Sequence, residues 1–330
     1  LFHLCMNIIM KPLKECSKSP MYMVDPIGDL CRVRTIYGAH MSDLPEMLVL
    51  ACVSQGCSPI SMARLHKFGD YPAHPLRHGA HTLQQIAELQ MRCDVTDLKA
   101  LKVTCSEMGL NGVLDPFWED WKFADPCQFL APDALHQWHK MFMDHVVKWG
   151  RMLLGDVELD RRLSVLQPRV GFCHFSSGIT RFKQHTGREQ RDLQRVFVAI
   201  MAGSPLVNTQ ILRAFRAYLD FVYLGQYERH TDQSIELLHT VLTNFHANKK
   251  ALSRAGCRDG KKRKGNFYIP KMELMHHVGY FTKLLGVSAQ FTSDVTERCH
   301  IVFAKVPYAF GTNKKNYPPQ MCRFIDRLER

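Results

Sequence analysis

Hydrophobic positions recur at helical spacing over most of the chain, whereas near the amino terminus they form two short extended runs. The runs at 20–25 and 30–40 are rich in Val, Ile, Tyr and Met, and the stretch 25–29 between them (DPIGD) has the composition of a turn. This pattern predicts a β-hairpin. The apolar spacing of residues 1–16, before the hairpin, predicts a helix.

Pro45 opens the next apolar stretch, residues 45–55, which predicts a buried helix with proline in its first turn. Residues 20–55 therefore predict a β-β-α unit with Asp43 at the junction between strand and helix. Loops after strands gather functional side chains, so an acid there can bind a metal or act in catalysis. Aspartate is also a normal helix N-cap, and spacing alone favours that role.

The rest of the chain, from about residue 80, has helical periodicity broken by glycine and proline. The predicted helices cover 81–95, 97–108, 132–154, 187–203, 208–225, 231–249 and 268–285. Residues 255–266 are predicted to form a loop, and the tail 305–319 is predicted to be loop-like and basic. A small β-containing part followed by a large helical body predicts an α+β fold that is mostly helical.

Composition is typical of an intracellular globular protein. The 330 residues are 46% hydrophobic and 22% charged, which allows a sizeable core. Twelve cysteines without a Cys-x-x-Cys pair indicate reduced thiols rather than a disulfide framework. No apolar run approaches the roughly 20 residues of a membrane span, and no signal peptide is evident. The chain begins at Leu1 inside a helix-like segment, so we expect it to be a fragment.

Basic residues outnumber acidic ones by 43 to 31, and the resulting charge of +12 favours a polyanionic partner, most commonly nucleic acid. The densest basic run could grip phosphate, serve as a localisation signal or simply be a solvated loop. The candidate DNA-contacting residues are Lys261, Lys262, Arg263, Lys264, Lys314 and Lys315.

Two acid-x-x-His pairs are a further chemical signal. Asp133 with His136, and Glu297 with His300, place an acid and an imidazole on one helical face, where they can chelate a divalent metal. The alternatives are a structural hydrogen bond for the first pair and a capped helix entry for the second. The sequence has no Gly-rich phosphate loop, G-x-S-x-G or His-Glu-x-x-His, so ATP hydrolysis, serine hydrolysis and zinc proteolysis are unsupported.

Eight strings occur in order along nearly the whole chain. They are 1–6 (LFHLCM), 42–46 (SDLPE), 111–118 (NGVLDPFW), 129–140 (FLAPDALHQWHK), 164–168 (SVLQP), 183–189 (KQHTGRE), 268–274 (YIPKMEL) and 294–300 (DVTERCH). Together they resemble the Plavaka-type transposases of fungal genomes, relatives of the CACTA superfamily. The resemblance implies a partial RNase H-like core with a large all-α insertion.

The resemblance also implies chemistry. Such enzymes hold two Mg²⁺ or Mn²⁺ ions with three acids and cut or join DNA strands by in-line attack on a phosphodiester. Asp43 matches the second acid, with Leu44 in place of an aromatic residue. Glu297 is our choice for the third acid, with Asp133 as the alternative. The first acid would lie upstream of the segment matched by Leu1, so we expect this chain to be inactive.

Relatives often carry a Cys-x-x-Cys for metal shortly after the second acid, and the matching positions here are Ser58 and Ser61. Only Cys57 is adjacent, although His66 and Asp70 remain in the region. Hydroxyls are poor substitutes for thiolates at zinc, which argues against a zinc site here.

The domains predicted from these observations are 1–75 for the partial core, 76–290 for the helical body, and 291–330 for a return to the core and a basic tail. The resemblance implies a nuclear protein with DNA, specifically transposon ends, as partner, no membrane, and room for a homo-oligomer. One alternative function is an inactive transposon remnant that binds DNA or protein. Another is a helical metal-carboxylate enzyme built on the two acid-x-x-His pairs.

Overall fold

The protein, seen in a computed structural model, is described over residues 1–181, 185–258 and 265–330. It divides into two compact units, Leu1–Phe291 and Thr292–Arg330. The strands of the first unit are β1 (Met21–Val24) and β2 (Leu30–Val33). The helices of that unit are α1 (Phe2–Lys18), α2 (Leu44–Leu50), α3 (Gly79–Arg92), α4 (Leu98–Met108), α5 (Pro126–Phe129), α6 (Lys148–Leu154), α7 (Asp156–Ser164), α8 (Gly187–Met201), α9 (Thr209–Leu224), α10 (Asp232–Asn248), α11 (Lys250–Arg254), α12 (Pro270–Met275) and α13 (Val278–Leu285).

The predicted hairpin is present. Strands β1 and β2 are antiparallel, with Met21 opposite Val33. Asp25 fixes the turn, because its Oδ1 accepts hydrogen bonds from the backbone N–H groups of Ile27 and Asp29 at 3.0 and 2.9 Å. The second strand is shorter than predicted and ends ten residues before Asp43.

Two π-helical segments, Ala134–His139 and Phe142–Val147, precede α6. The predicted helix 132–154 is therefore real but wider in its turns than a regular α-helix. Trp138 anchors the first segment: it is fully buried, its Nε1 donates to the backbone carbonyl of Asp133 at 2.7 Å, and its own carbonyl accepts from Tyr218 Oη at 2.5 Å.

Helices α8, α9 and α10 surround the larger core of the first unit. Each begins at a residue whose side chain accepts an N–H of the first turn: Thr186, Asn208 and Thr231. The buried aromatic residues of this core include Trp138, Phe142, Phe197, Phe215, Tyr218 and Phe245. A smaller core lies around α2 and includes Met47, Leu50, Ile60, Phe117 and Trp118.

The second unit, taken by itself, is helical. It contains α14 (Asp294–His300), a π-helical segment (Ile301–Lys305), α15 (Val306–Gly311) and α16 (Tyr317–Leu328). The prediction of a loop-like tail at 305–319 was wrong over most of its length. Pro318 and Pro319 lie in the first turn of α16, where proline starts a helix rather than breaking one.

The predicted class, α+β and mostly helical, is confirmed. The described residues contain a single two-stranded sheet, and the RNase H-like core stays a prediction. Across 1–181, 185–258 and 265–330, no helix combines the length and apolar character that crossing a bilayer requires.

Candidate functional site

Asp43 lies at the amino terminus of α2, as its N-cap. Its Oδ1 accepts a 3.0 Å hydrogen bond from the backbone N–H of Glu46. The side chain is half-buried, and its Oδ2 accepts no hydrogen bond from any residue in the described ranges. The cap and a free oxygen coexist in one carboxylate, so the geometry is compatible with both roles weighed for Asp43.

Three side chains near Asp43 form a short hydrogen-bonded chain: Tyr37, His40 and Glu46. Tyr37 Oη lies 2.6 Å from His40 Nδ1, and His40 Nε2 lies 3.2 Å from Glu46 Oε1. Burial, with a smaller contribution from Glu46, raises the pKa of Tyr37 to about 12. Glu46 is thus engaged by His40, and among the described residues Asp43 belongs to no group of three converging metal-ligand atoms.

Asp133 and His136 do come together. Asp133 is fully buried, and its two oxygens accept from the backbone N–H groups of Leu135 and His136 at 3.0 and 2.9 Å. His136 Nδ1 lies 2.6 Å from Asp133 Oδ2. These contacts fit the structural hydrogen-bond role, and a metal role for the pair stays a prediction.

Glu297 and His300 lie in α14 of the second unit, where Glu297 is in the first turn and donates its backbone N–H to the carbonyl of Ser293 at 2.9 Å. Lys314 and Lys315 are exposed in the same unit. Whether Glu297 joins Asp43 in one site stays a prediction. The basic residues Lys261, Lys262, Arg263 and Lys264 fall outside the described residues.

A buried polar cluster joins two distant segments. Ser61 Oγ donates to Glu273 Oε1 at 2.5 Å, and His277 Nε2 lies 3.1 Å from the same oxygen. Ser58 is buried beside Ser61 in sequence and in space. Burial alone would raise the pKa of Glu273, but hydrogen bonds from His277 and Ser61 outweigh it and lower that pKa. Glu273 is therefore a buried carboxylate at neutral pH.

Sequence reasoning singled out the two serines but missed Glu273 and His277. Their signal was the acid and histidine four residues apart, which share a helical face. The prediction against a zinc site in this region stays a prediction.

Three aromatic rings stack beside this cluster. The ring of His246 lies 5.0 Å from Tyr71 and 4.8 Å from His276, between ring centres. Burial lowers the pKa of His276 to about 4, and burial with the charge of Lys249 lowers that of His246 to about 2. Both histidines are therefore neutral at physiological pH. Burial also lowers the pKa of Lys249 to about 8.

A basic pocket of about 490 Å³ adjoins the stack. Its cationic lining is Lys249, Lys250 and Arg254, and Tyr268 presents a partly exposed ring. Lys250 and Arg254 are exposed and form no ion pair with a described residue. Asp70 is the one acidic residue in the described lining. We refer to this site as the basic pocket.

Within the described ranges, one group of side chains has three metal-type donor atoms within 4.8 Å of one another: His78, Asp125 and Cys127. His78 Nδ1 lies 3.0 Å from Asp125 Oδ2 and 3.4 Å from Cys127 Sγ. Asp125 Oδ1 accepts from the backbone N–H of Gly79 at 2.8 Å and so ties α3 to α5. Burial raises the pKa of the Cys127 thiol above its usual range. The group is already held together by hydrogen bonds.

Comparison with known families finds a similarity over the first part of the chain. Residues 1–150 match the sequence model of the Plavaka transposase family. The resemblance to Plavaka-type transposases is thereby confirmed, and the matched range contains Asp43 and Asp133. A comparison with curated proteins gave no match.

Proposed function

We propose that this transposase-derived protein binds DNA through its basic pocket, acts in the nucleus, and uses Asp43 as one member of a metal-binding acid set. The match of residues 1–150 to Plavaka transposases carries this proposal, because transposases act on DNA ends.

Charge supports DNA as the partner. The chain carries a formal charge of +12, and every phosphate neutralised by Lys or Arg releases counterions. In the basic pocket, Lys250 and Arg254 are solvent-exposed cations without an acidic partner among the described residues. The exposed face of Tyr268 could stack on an unpaired base. Phosphate contacts of this kind do not depend on sequence, so they position DNA rather than select it.

Asp43 supports the chemical part of the proposal. Its Oδ2 accepts no hydrogen bond from the described residues and remains able to ligate Mg²⁺ or Mn²⁺ while Oδ1 caps α2. A bound pair of such ions would activate the attacking oxygen and stabilise the leaving one. One acid does not make such a site, so strand cutting requires further acids, with Glu297 or Asp133 as candidates. Without them the protein is a DNA-binding transposon remnant.

The test is binding of a fluorescent DNA duplex at several salt concentrations. We expect the affinity for DNA to fall steeply as the salt concentration rises. The double variant Lys250→Gln/Arg254→Gln should bind more weakly, and its plot of log affinity against log salt concentration should be shallower by the equivalent of about 1 to 2 phosphate contacts. The matched control is Lys99→Gln/Lys102→Gln, which removes two exposed lysines from α4. An equal loss of DNA affinity in both double variants would refute the basic pocket as the DNA contact. DNA binding that does not depend on salt would refute the proposal that the protein binds DNA through its charge.

A further inference from the structure

The loop after α2 has the local geometry of a metal-binding knuckle with hydroxyls in the ligand positions. Ser58 Oγ accepts hydrogen bonds from the backbone N–H groups of Ile60 and Ser61 at 3.3 and 3.1 Å. Ser61 Oγ accepts from the N–H of Ala63 at 3.2 Å. N–H groups aimed at a side-chain atom favour its anionic form, which is what a ligand thiolate needs.

Two further donors face this loop from the end of the helical body. Glu273 lies in α12 and His277 in the turn after it. Glu273 Oε1 lies 2.5 Å from Ser61 Oγ and 3.1 Å from His277 Nε2. Ser58, Ser61, Glu273 and His277 are all at most 4% exposed. The second oxygen, Glu273 Oε2, is buried and has no hydrogen-bond partner in the described part of the chain.

The four positions have the sequence spacing of a closed structural zinc site: two residues three apart in the loop, then Glu273 in α12 and His277 in the turn after it, four residues apart. The chemistry of the donors does not fit. Zinc in such sites takes thiolate, imidazole or carboxylate, and a serine hydroxyl keeps its proton at neutral pH. Cys57 offers no replacement, because its thiol packs against Gly109.

We propose that this cluster is a metal-site frame whose metal has been replaced by hydrogen bonds, so that Ser61, Glu273 and His277 now tie the loop to the helical body. The loop keeps backbone N–H groups directed at the side chains of positions 58 and 61, where hydroxyls stand in place of thiols. The double variant Ser58→Cys/Ser61→Cys therefore creates a site for Zn²⁺ or Co²⁺ that the wild-type protein does not have.

The experiment measures metal content and Co²⁺ absorption. Wild-type protein is expected to retain less than about 0.1 equivalent of zinc after dialysis, whereas Ser58→Cys/Ser61→Cys binds about one equivalent of Co²⁺ with thiolate-to-metal absorption. Adding His277→Gln should weaken binding by about 10-fold or more. The control is Ser17→Cys/Ser42→Cys, which also places two thiols at buried serines but outside this cluster. It measures how much Co²⁺ the native cysteines and two unrelated thiols bind.

Two outcomes overturn the proposal. One is a folded double variant that binds no more Co²⁺ than the control. The other is wild-type protein that carries one zinc per chain and loses it in Glu273→Gln. If the double variant does not fold, the wild-type protein decides: its melting temperature is expected to be unchanged by a chelator, and a clear drop overturns the proposal.

Discussion

Ser61 donates a 2.5 Å hydrogen bond to Glu273, although 212 residues separate them in the sequence. The bond is buried, and its acceptor is a carboxylate whose pKa is lowered by His277 and Ser61 despite burial. A hydrogen bond to a buried charge contributes more than a neutral surface one, because its loss leaves the charge short of a donor.

Ser61→Ala should therefore lower the free energy of unfolding by about 2 kcal/mol. The control is Ser42→Ala, since Ser42 is also buried but its hydroxyl has no hydrogen-bond partner within the described residues. That variant should stay within about 1 kcal/mol of wild type. Urea denaturation of both proteins measures the difference, and equal stability of the two variants would contradict the assigned role of Ser61.

Asp43 can be dissected by two substitutions, because its cap and its proposed metal role need different atoms. Asp43→Asn keeps an oxygen for the N–H of Glu46 and should leave stability nearly unchanged, whereas Asp43→Ala should cost about 1 kcal/mol. Any Mg²⁺- or Mn²⁺-dependent nicking of DNA should be lost in both variants. Nicking that survives in Asp43→Asn would remove Asp43 from the metal-binding acids.

Stability should fall in mild acid because of the stacked histidines. The pKa values of His276 and His246 in the folded chain, about 4 and about 2, lie below the ordinary 6.5. The unfolded chain therefore binds protons first as pH falls below 6.5. The free energy of unfolding therefore falls as pH drops from 6.5, down to about pH 4 for the contribution of His276 and to about pH 2 for that of His246. Each histidine should lower the free energy of unfolding by about 1 kcal/mol at pH 5.5.

Urea denaturation at pH 7.5 and 5.5 checks this effect. His276→Phe should keep the ring stack and reduce the loss of stability at pH 5.5 by about 1 kcal/mol. His66→Gln, at an exposed position, serves as the control and should show the wild-type loss. A loss unchanged in His276→Phe would assign the acid sensitivity to other groups.

Gly225 lies against the ring of Trp138 so closely that a methyl group has no space. A Cβ built at this glycine would lie 2.0 Å from Trp138 Cζ3. Gly225→Ala should therefore destabilise the protein by about 1 to 3 kcal/mol through overpacking. Gly56→Ala is the matched control, since nothing lies within 4 Å of its Cβ position. Thermal denaturation distinguishes them, and equal melting temperatures would argue against the close contact.

Local features were the predictable part of the fold. The hairpin turn at Asp25 and the cap at Asp43 depend on neighbours within four residues, and spacing along the chain expresses such contacts directly. The tail was misjudged because proline marks a helix start as well as a break, and only the backbone decides between them.

The buried cluster was beyond sequence reasoning for a different reason. Nothing local to Ser61 indicates that Glu273 will face it, since the contact depends on how the helical body folds back. The basic pocket has the same origin, because it combines His66 with Lys249 and Tyr268 from distant segments. Predictions that join Asp43 to Glu297 are of this non-local kind and need experiments of their own.

The hydrogen bond between Ser61 and Glu273 also bears on whether residues 1–150 form an independent folding unit. Ser61 lies within the transposase-matched range 1–150 and Glu273 lies beyond it, yet both belong to the same compact unit. Trp138, also inside the matched range, accepts a hydrogen bond from Tyr218 outside it. The matched range is thus not a transferable module. Cutting the chain at residue 150 would remove both contacts at once, so we expect residues 1–150 expressed alone to lose this packing.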